Sequence, residues 1–160
     1  MSSGQILEHL MNRYRQSGLL NDKVSLSCLF PDQDTQFIGD SDKIKSMLHI
    51  LIDNALKFTP RGTIHIKIAV TQDHIVIDVA DTGCGIPKKR RATIFEEGIS
   101  LSHEETPAIP GSPRSTGLGL YYVKRFCEVL GGHVRVESDY GYRTMFTITL
   151  PRHSEADLHA

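Results

Sequence analysis

Apolar residues recur at spacings of three and four over 5–16, where Ile6, Leu7, Leu10, Met11 and Tyr14 predict a short amphipathic helix. From residue 24 the period changes to two. VSLSCLF sets Val24, Leu26, Cys28 and Phe30 on one face, a strand closed by Pro31 and the polar DQD, with a second short strand expected at QFIG. Helical spacing then returns with Ile44, Met47, Leu48, Leu51, Ile52, Ala55 and Leu56, behind Asp40 or Ser41 as the cap. TIHIKIAV and HIVIDVA alternate again and predict a hairpin around the polar turn from Thr71 to Asp73.

Residues 82–116 are rich in Gly, Pro, Ser and charge, with one short helical candidate at KKRRATIF; PAIPGSPRS is too rich in proline for a helix or a central strand. So long an irregular stretch in a compact domain is usually functional or mobile. The pattern resumes with the helix TGLGLYYVKRFCEVL, stopped by Gly131 and Gly132, and closes with strands HVRVES and TMFTITL around the turn DYGY. About three helices and five to seven strands, linked by hairpins, predict an α+β fold: a two-layer sandwich with helices on one face of a mixed sheet. One domain is expected over 1–151, including an N-terminal helix within 1–17, and a frayed tail over 152–160.

Composition narrows the chemistry. With 160 residues, 39% of them apolar and 23% charged, the chain can bury an ordinary core, and no stretch approaches the length of a membrane span. A formal net charge of −1 supplies no global attraction to nucleic acid or anionic lipid, so phosphate binding must come from a local arrangement. Cys28, Cys84 and Cys127 are odd in number and widely spaced, which argues against a disulfide framework and fits a reducing cytoplasm. The eight histidines form no HExxH or Cys/His ligand pattern.

Three segments carry candidate chemistry. In MLHILIDNALKFT, Asn54 and Lys57 share a helical face; Asn can offer its carbonyl to a magnesium-phosphate group and Lys can meet phosphate as a point charge, although a solvated polar stripe has the same pattern. STGLGLYYVK is a glycine-rich start to a helix, where free amide N–H groups and the helix dipole favour an anion, or where the glycines serve only as caps. It matches neither a P-loop nor GxGxxG after a strand. In DTGCGIP, Asp81 closes an apolar strand; if buried, its carboxylate can accept from an amino group on a flat heterocycle, with the glycines giving room and Ile86 an apolar wall.

In this order the segments resemble the ATP-binding catalytic domain of sensor histidine kinases, within the superfamily shared with gyrase, chaperone and mismatch-repair ATPases. HILIDNALKFT is similar to the family's N box, DTGCGIP to its first glycine box, TIFEEG to its F box, and STGLGLYYVKRFCEVLGGHVRVES to its second glycine box with the following helix and strand. The resemblance spans roughly residues 20–151, and DYGYRTMFTITLP resembles its closing strands. It implies the Bergerat sandwich, with ATP and Mg2+ as cofactors. By the same resemblance Asn54 holds Mg2+, Lys57 faces the phosphates and Phe58 lies beside adenine. Asp81 takes the adenine amino group, and Gly83, Gly85 and Ile86 shape its pocket. Thr116, Gly117, Leu118, Gly119 and Leu120 cradle the phosphates, Thr144 lies near the base, and residues 96–116 form an ATP lid hinged at Phe95.

Three positions depart from the family pattern. Ile50, four residues before Asn54, stands where these kinases usually carry Asn and the related ATPases a glutamate base; without a carboxylate, water activation is poorly supplied, which disfavours a gyrase-like ATPase and makes weakened phosphotransfer a live expectation. The F box continues as EEGIS without a second aromatic, and Arg143 replaces a glycine before Thr144. LEHLMNRYR around His9 lacks the acidic and Thr-Pro signature of a phosphoacceptor, so His9 reads as a surface histidine. The expected function is therefore the cytoplasmic catalytic portion of a larger sensor, whose parent protein could be membrane-anchored, phosphorylating a histidine on a separate dimerisation domain and unable to phosphorylate itself. Its expected partners are that domain and, indirectly, a response regulator, without nucleic acid or direct membrane contact. The alternatives are a degenerate kinase domain that senses nucleotide or docks on partners, and a serine kinase of the anti-sigma type.

Overall fold

The computed structural model describes residues 2–16, 20, 22–29, 39–98 and 118–153. Its elements are α1 (Ser3–Gln16), β1 (Val24–Leu29), α2 (Ser41–Phe58), β2 (Gly62–Val70), β3 (His74–Asp81), a 3-10 turn (Lys88–Arg90), α3 (Gly119–Val129), β4 (His133–Asp139) and β5 (Arg143–Pro151). The strands form one open sheet in the order β1-β2-β3-β5-β4, with β1 parallel to β2 and the remaining pairs antiparallel. This is the predicted mixed sheet with three helices, an α/β sandwich. The possible strand at QFIG falls on residues outside those described, apart from Gly39.

Period-two alternation decides which sheet face is covered. Ile64, Ile66 and Ile68 of β2, Ile75, Ile77 and Val79 of β3, and Phe146, Ile148 and Leu150 of β5 are all buried. They pack with Ile44, Met47, Leu48, Leu51 and Ile52 of α2, each such side chain contributing roughly 1.5–3 kcal/mol by leaving water. In β2 the intervening Thr63, His65 and Lys67 are exposed.

The helix ends follow local chemistry. Ser2 and Gln5 form a reciprocal cap at α1, where Ser2 Oγ accepts from Gln5 N at 3.2 Å and Ser2 N donates to Gln5 Oε1 at 3.1 Å. Of the two caps considered for α2, Asp40 serves: its Oδ1 accepts from Lys43 N at 3.1 Å. Tyr14 fastens α1 to α2 by donating to Asp53 Oδ1 at 2.8 Å. Cys127 of α3 packs its sulfur 3.6 Å from that of Met47 in α2.

KKRRATIF differs from the helical expectation. Only Lys88–Arg90 form a 3-10 turn, followed by isolated turns such as Thr93 N to Arg90 O at 3.1 Å. Four successive cations and the β-branched Thr93 and Ile94 are a poor helix nucleus, and a segment this short cannot repay nucleation. Ile94 is nevertheless buried and anchors the segment. The third helix begins at Gly119 among the described residues; Thr116 and Gly117 lie outside them.

Candidate nucleotide site

A cleft opens between the C-terminal half of α2 and the inner face of β3 and β5, lined by Asn54, Ala55, Phe58, Asp81, Gly85, Ile86, Thr144 and Phe146. Asn54 and Phe58 are four apart and so project from one face of α2. Asp81 and Thr144 are direct partners in the β3–β5 ladder, which puts both side chains on the covered face at one end of the sheet.

Asp81 is only 7% exposed. Burial pushes its carboxyl up to about 6, while the Gly83 amide and the Thr59 hydroxyl pull the other way. The Gly83 amide donates to Asp81 Oδ1 at 2.9 Å, fixing one oxygen and leaving the second for another donor. An acceptor that is mostly ionised near neutral pH, walled by Phe58, Ile86 and Phe146, suits a flat ring that carries an amino group.

The loop after Asp81 is tied down at both sides. Cys84 N donates to Phe58 O at 3.2 Å, and Gly141 N donates to Cys84 O at 2.6 Å. A Cβ on Gly83 would collide with the Phe58 carbonyl oxygen. Gly85 has φ +71° and lies against the Asp139 carbonyl, so it needs both the left-handed conformation and the missing side chain. The glycines thus admit the protein's own backbone, and of the two only Gly85 also lines the cleft. Cys84 is half-buried, and its thiol is raised by burial and by the Asp81 charge.

Lys57 does not line this cleft. Its ammonium lies 5.4 Å from the centre of the Phe58 ring, and partial burial lowers its pKa. Leu118, Gly119 and Leu120 stand at the N-terminal end of α3, where Gly119 faces Ile50 of α2. Ile50, Asn54 and Phe58 therefore follow one another along one face of α2, from the start of α3 to the cleft, over roughly 12 Å at the helical rise. Phe95 meets Phe146 edge-on, with ring centroids 6.1 Å apart, and so joins the TIFEEG segment to the cleft wall. The expected lid over 96–116 falls almost entirely outside the described residues.

Arg143 also finds its place. Its Nε lies 2.6 Å from Asp139 Oδ2 across the β4–β5 turn, an exposed pair whose members do not themselves line the cleft. His9 is exposed, its ring 6.1 Å from that of His49.

A profile of the histidine kinase-, DNA gyrase B- and HSP90-like ATPases matches residues 39–154. The chain belongs to that family. Curated relatives include the circadian input-output histidine kinase CikA of Synechococcus elongatus, 34% identical over 116 residues, covering 72% of this chain and 15% of that protein. The sensor histidine kinase WalK of Bacillus subtilis is 35% identical over 130 residues, covering 79% of this chain and 21% of WalK. The mycobacterial sensor histidine kinase MprB shares the fold, with a TM-score of 0.75, 23% identity and 96% coverage of each chain. The kinase domain thus spans only a small part of these curated relatives, and it is an ATP-binding catalytic domain of the sensor histidine kinase type.

Three participants have no role in the sequence reading. Phe146 forms part of the cleft wall, as its place two residues after Thr144 on the same face allows. Ser138 is a buried hub: its Oγ accepts from Ile86 N at 2.8 Å and donates to Arg143 O at 2.6 Å. Its signal was a serine in phase with Val134 and Val136, a polar residue on an inward face. Thr59 is fully buried beside Asp81, and a threonine just after a helix carries no distinguishing pattern.

Proposed function

We propose that this domain binds Mg-ATP in the α2/β3/β5 cleft and donates the γ-phosphoryl group to a histidine on a separate dimerisation domain of its parent protein. The observation that carries the reading is Asp81: a buried carboxylate with one oxygen held by Gly83 and an apolar slot beside it. A carboxylate accepts from the adenine 6-amino group, whereas guanine offers an oxygen at that position. ATP is favoured over GTP.

The 12 Å run from Phe58 to Ile50 matches the direction a triphosphate takes from the base towards the amides at the start of α3. Asn54, halfway along, offers a neutral oxygen, and Mg2+ bound to phosphates needs only one or two protein ligands. That donor set fits: no cluster of three or more His, Cys, Asp or Glu exists among the described residues to hold a metal by itself. Asn54 would hold Mg2+, which supplies charge neutralisation on the phosphates. Lys57 adds a cation near that path, and its lowered pKa reflects the cost of partly burying it. Thr116 and Gly117 would extend the phosphate cradle begun by Leu118, Gly119 and Leu120.

These residues align the γ-phosphorus with an incoming imidazole nitrogen; the N–P bond forms as the bond to the β–γ bridging oxygen breaks, and ADP leaves. The product would be passed to a response regulator, in a cytoplasmic setting. No helix among the described residues is long and apolar enough to cross a membrane.

Titration with Mg-ATP and Mg-GTP tests base reading, and labelled ATP with a phosphoacceptor hairpin in trans tests transfer. An acid-labile product is expected. An acid-stable product would indicate a serine kinase instead. Ile50 against Gly119 favours one second reading, a nucleotide-sensing domain with little transfer, which would bind ATP and label nothing.

A further inference from the structure

Among the described residues, Thr59 Oγ1 is the one buried side-chain nitrogen or oxygen without a hydrogen-bond partner of standard geometry. Leaving such a hydroxyl unsatisfied costs about 1–3 kcal/mol, and a free rotation about χ1 would usually relieve it. Here the surroundings restrict that relief. Thr59 caps the C-terminus of α2 with φ −118° and ψ 84°, the neighbouring Phe58 carbonyl is held by Cys84 N, and Thr59 itself is fully buried. A Cβ on Gly83 would stand 2.8 Å from the hydroxyl oxygen, so the glycine leaves space beside it.

Facing that space is Asp81. The hydroxyl lies near enough to favour the ionised carboxylate although no well-formed hydrogen bond joins them. Asp81 Oδ1 is already engaged by Gly83 N. A threonine hydroxyl can donate one proton, and an ionised carboxylate can only accept. A hydrogen bond from the Thr59 hydroxyl to the carboxylate would satisfy both groups.

We propose that Thr59 is a positioning residue for Asp81, whose carboxylate it receives as hydrogen-bond donor and thereby fixes in the orientation that meets an exocyclic amino group. The orienting contact is a property of the free chain; its use in base recognition rests on the nucleotide reading above. Other groups around the carboxylate, Asn54 and Phe58 from α2, Thr144 from β5 and Ile86 from the loop, carry no charge, and the Cys84 thiol is the titratable neighbour that senses Asp81.

The test is a carboxyl-carbon NMR titration of Asp81 in the nucleotide-free full chain, for wild type, Thr59→Val and Thr59→Ser, with ATP affinity measured alongside. Thr59→Val is expected to raise the Asp81 midpoint by about one unit and weaken ATP by roughly tenfold, the worth of one hydrogen bond to a charged group. Thr59→Ser restores both. If Thr59→Val does not fold, Thr59→Ala serves the same comparison. An unmoved Asp81 midpoint in a folded valine or alanine variant overturns the proposal, even if stability falls. A moved midpoint in a chain that binds no ATP supports the Thr59–Asp81 contact and overturns the nucleotide reading instead.

Discussion

Ile50 Cγ2 lies 3.0 Å from the point where a Cβ on Gly119 would sit. An aliphatic side chain from α2 therefore occupies the space beside the first turn of α3, one helical turn above Asn54. That first turn carries amide hydrogens without intrahelical partners, and a methyl group can neither satisfy them nor orient a phosphate or a water.

Ile50→Asn is expected to raise phosphoryl transfer to a phosphoacceptor supplied in trans, because the amide would stand beside those N–H groups and the Mg2+ position assigned to Asn54. Ile50 also packs on the core, so stability should fall by about 1–2 kcal/mol. Initial rates with labelled ATP, together with a thermal melt, separate the two effects. An unchanged rate at saturating ATP would mean that Ile50 does not limit transfer.

Burying the Asp81 carboxylate costs stability. In the unfolded chain its carboxyl releases a proton near 3.8, whereas the folded chain holds it to about 6. Well below pH 3.8 both states are protonated and the group is neutral to stability; as pH rises, the unfolded state ionises first and the fold loses up to about 3 kcal/mol by pH 7. Asp81→Asn keeps an acceptor for Gly83 N but cannot ionise. Its advantage over wild type in urea unfolding should therefore grow between pH 4 and 7, while ATP binding weakens at least tenfold. A constant difference across that interval would mean that Asp81 ionises as easily in the fold as in the unfolded chain.

Asn54→Ala and Asn54→Asp are expected to suppress Mg-dependent phosphoryl transfer while leaving base selection between ATP and GTP in place. The side chain is partly exposed on α2, so neither change should cost much more than about 1 kcal/mol of stability. Transfer rates measured over a range of Mg2+ check this. Wild-type rates in both variants would remove Asn54 from the metal site.

Much of this architecture is visible as period. Alternation in TIHIKIAV and HIVIDVA sets the β2–β3 hairpin and its covered face, and the three-four spacing from Ile44 to Leu56 sets α2. Where burial and period agree, one sequence suffices. Asp81 stands in the apolar phase of β3, with Ile75, Ile77 and Val79, so its burial too could be read from alternation. The roles of Gly83 and Gly85 could not, because what they admit is the Phe58 and Asp139 backbone, brought near by tertiary folding alone. Ser138, Thr59 and the Arg143–Asp139 pair likewise depend on contacts between segments that no local pattern encodes. KKRRATIF shows the opposite failure, a helical spacing defeated by repulsion and shortness.

Arg143 and Gly85 both meet Asp139 beside the β4–β5 turn and should respond differently to substitution. The Arg143–Asp139 pair is exposed, and ion pairs in water contribute little after side-chain ordering and screening. Arg143→Gly should leave ATP affinity and unfolding midpoint nearly unchanged, with any small loss vanishing in high salt. Gly85→Ala asks for a side chain at φ +71° and drives its Cβ into the Asp139 carbonyl, which is backbone and cannot swing aside. The cost should be on the order of 2 kcal/mol or more. Because Gly141 N holds Cys84 O, the displacement would be passed between the β4–β5 turn and the loop that carries Ile86. ATP affinity should therefore fall in Gly85→Ala even where calorimetry shows the chain still folded. If Gly85→Ala binds ATP as wild type does while Arg143→Gly does not, the turn acts on the nucleotide through its charged pair and not through the packing of the loop.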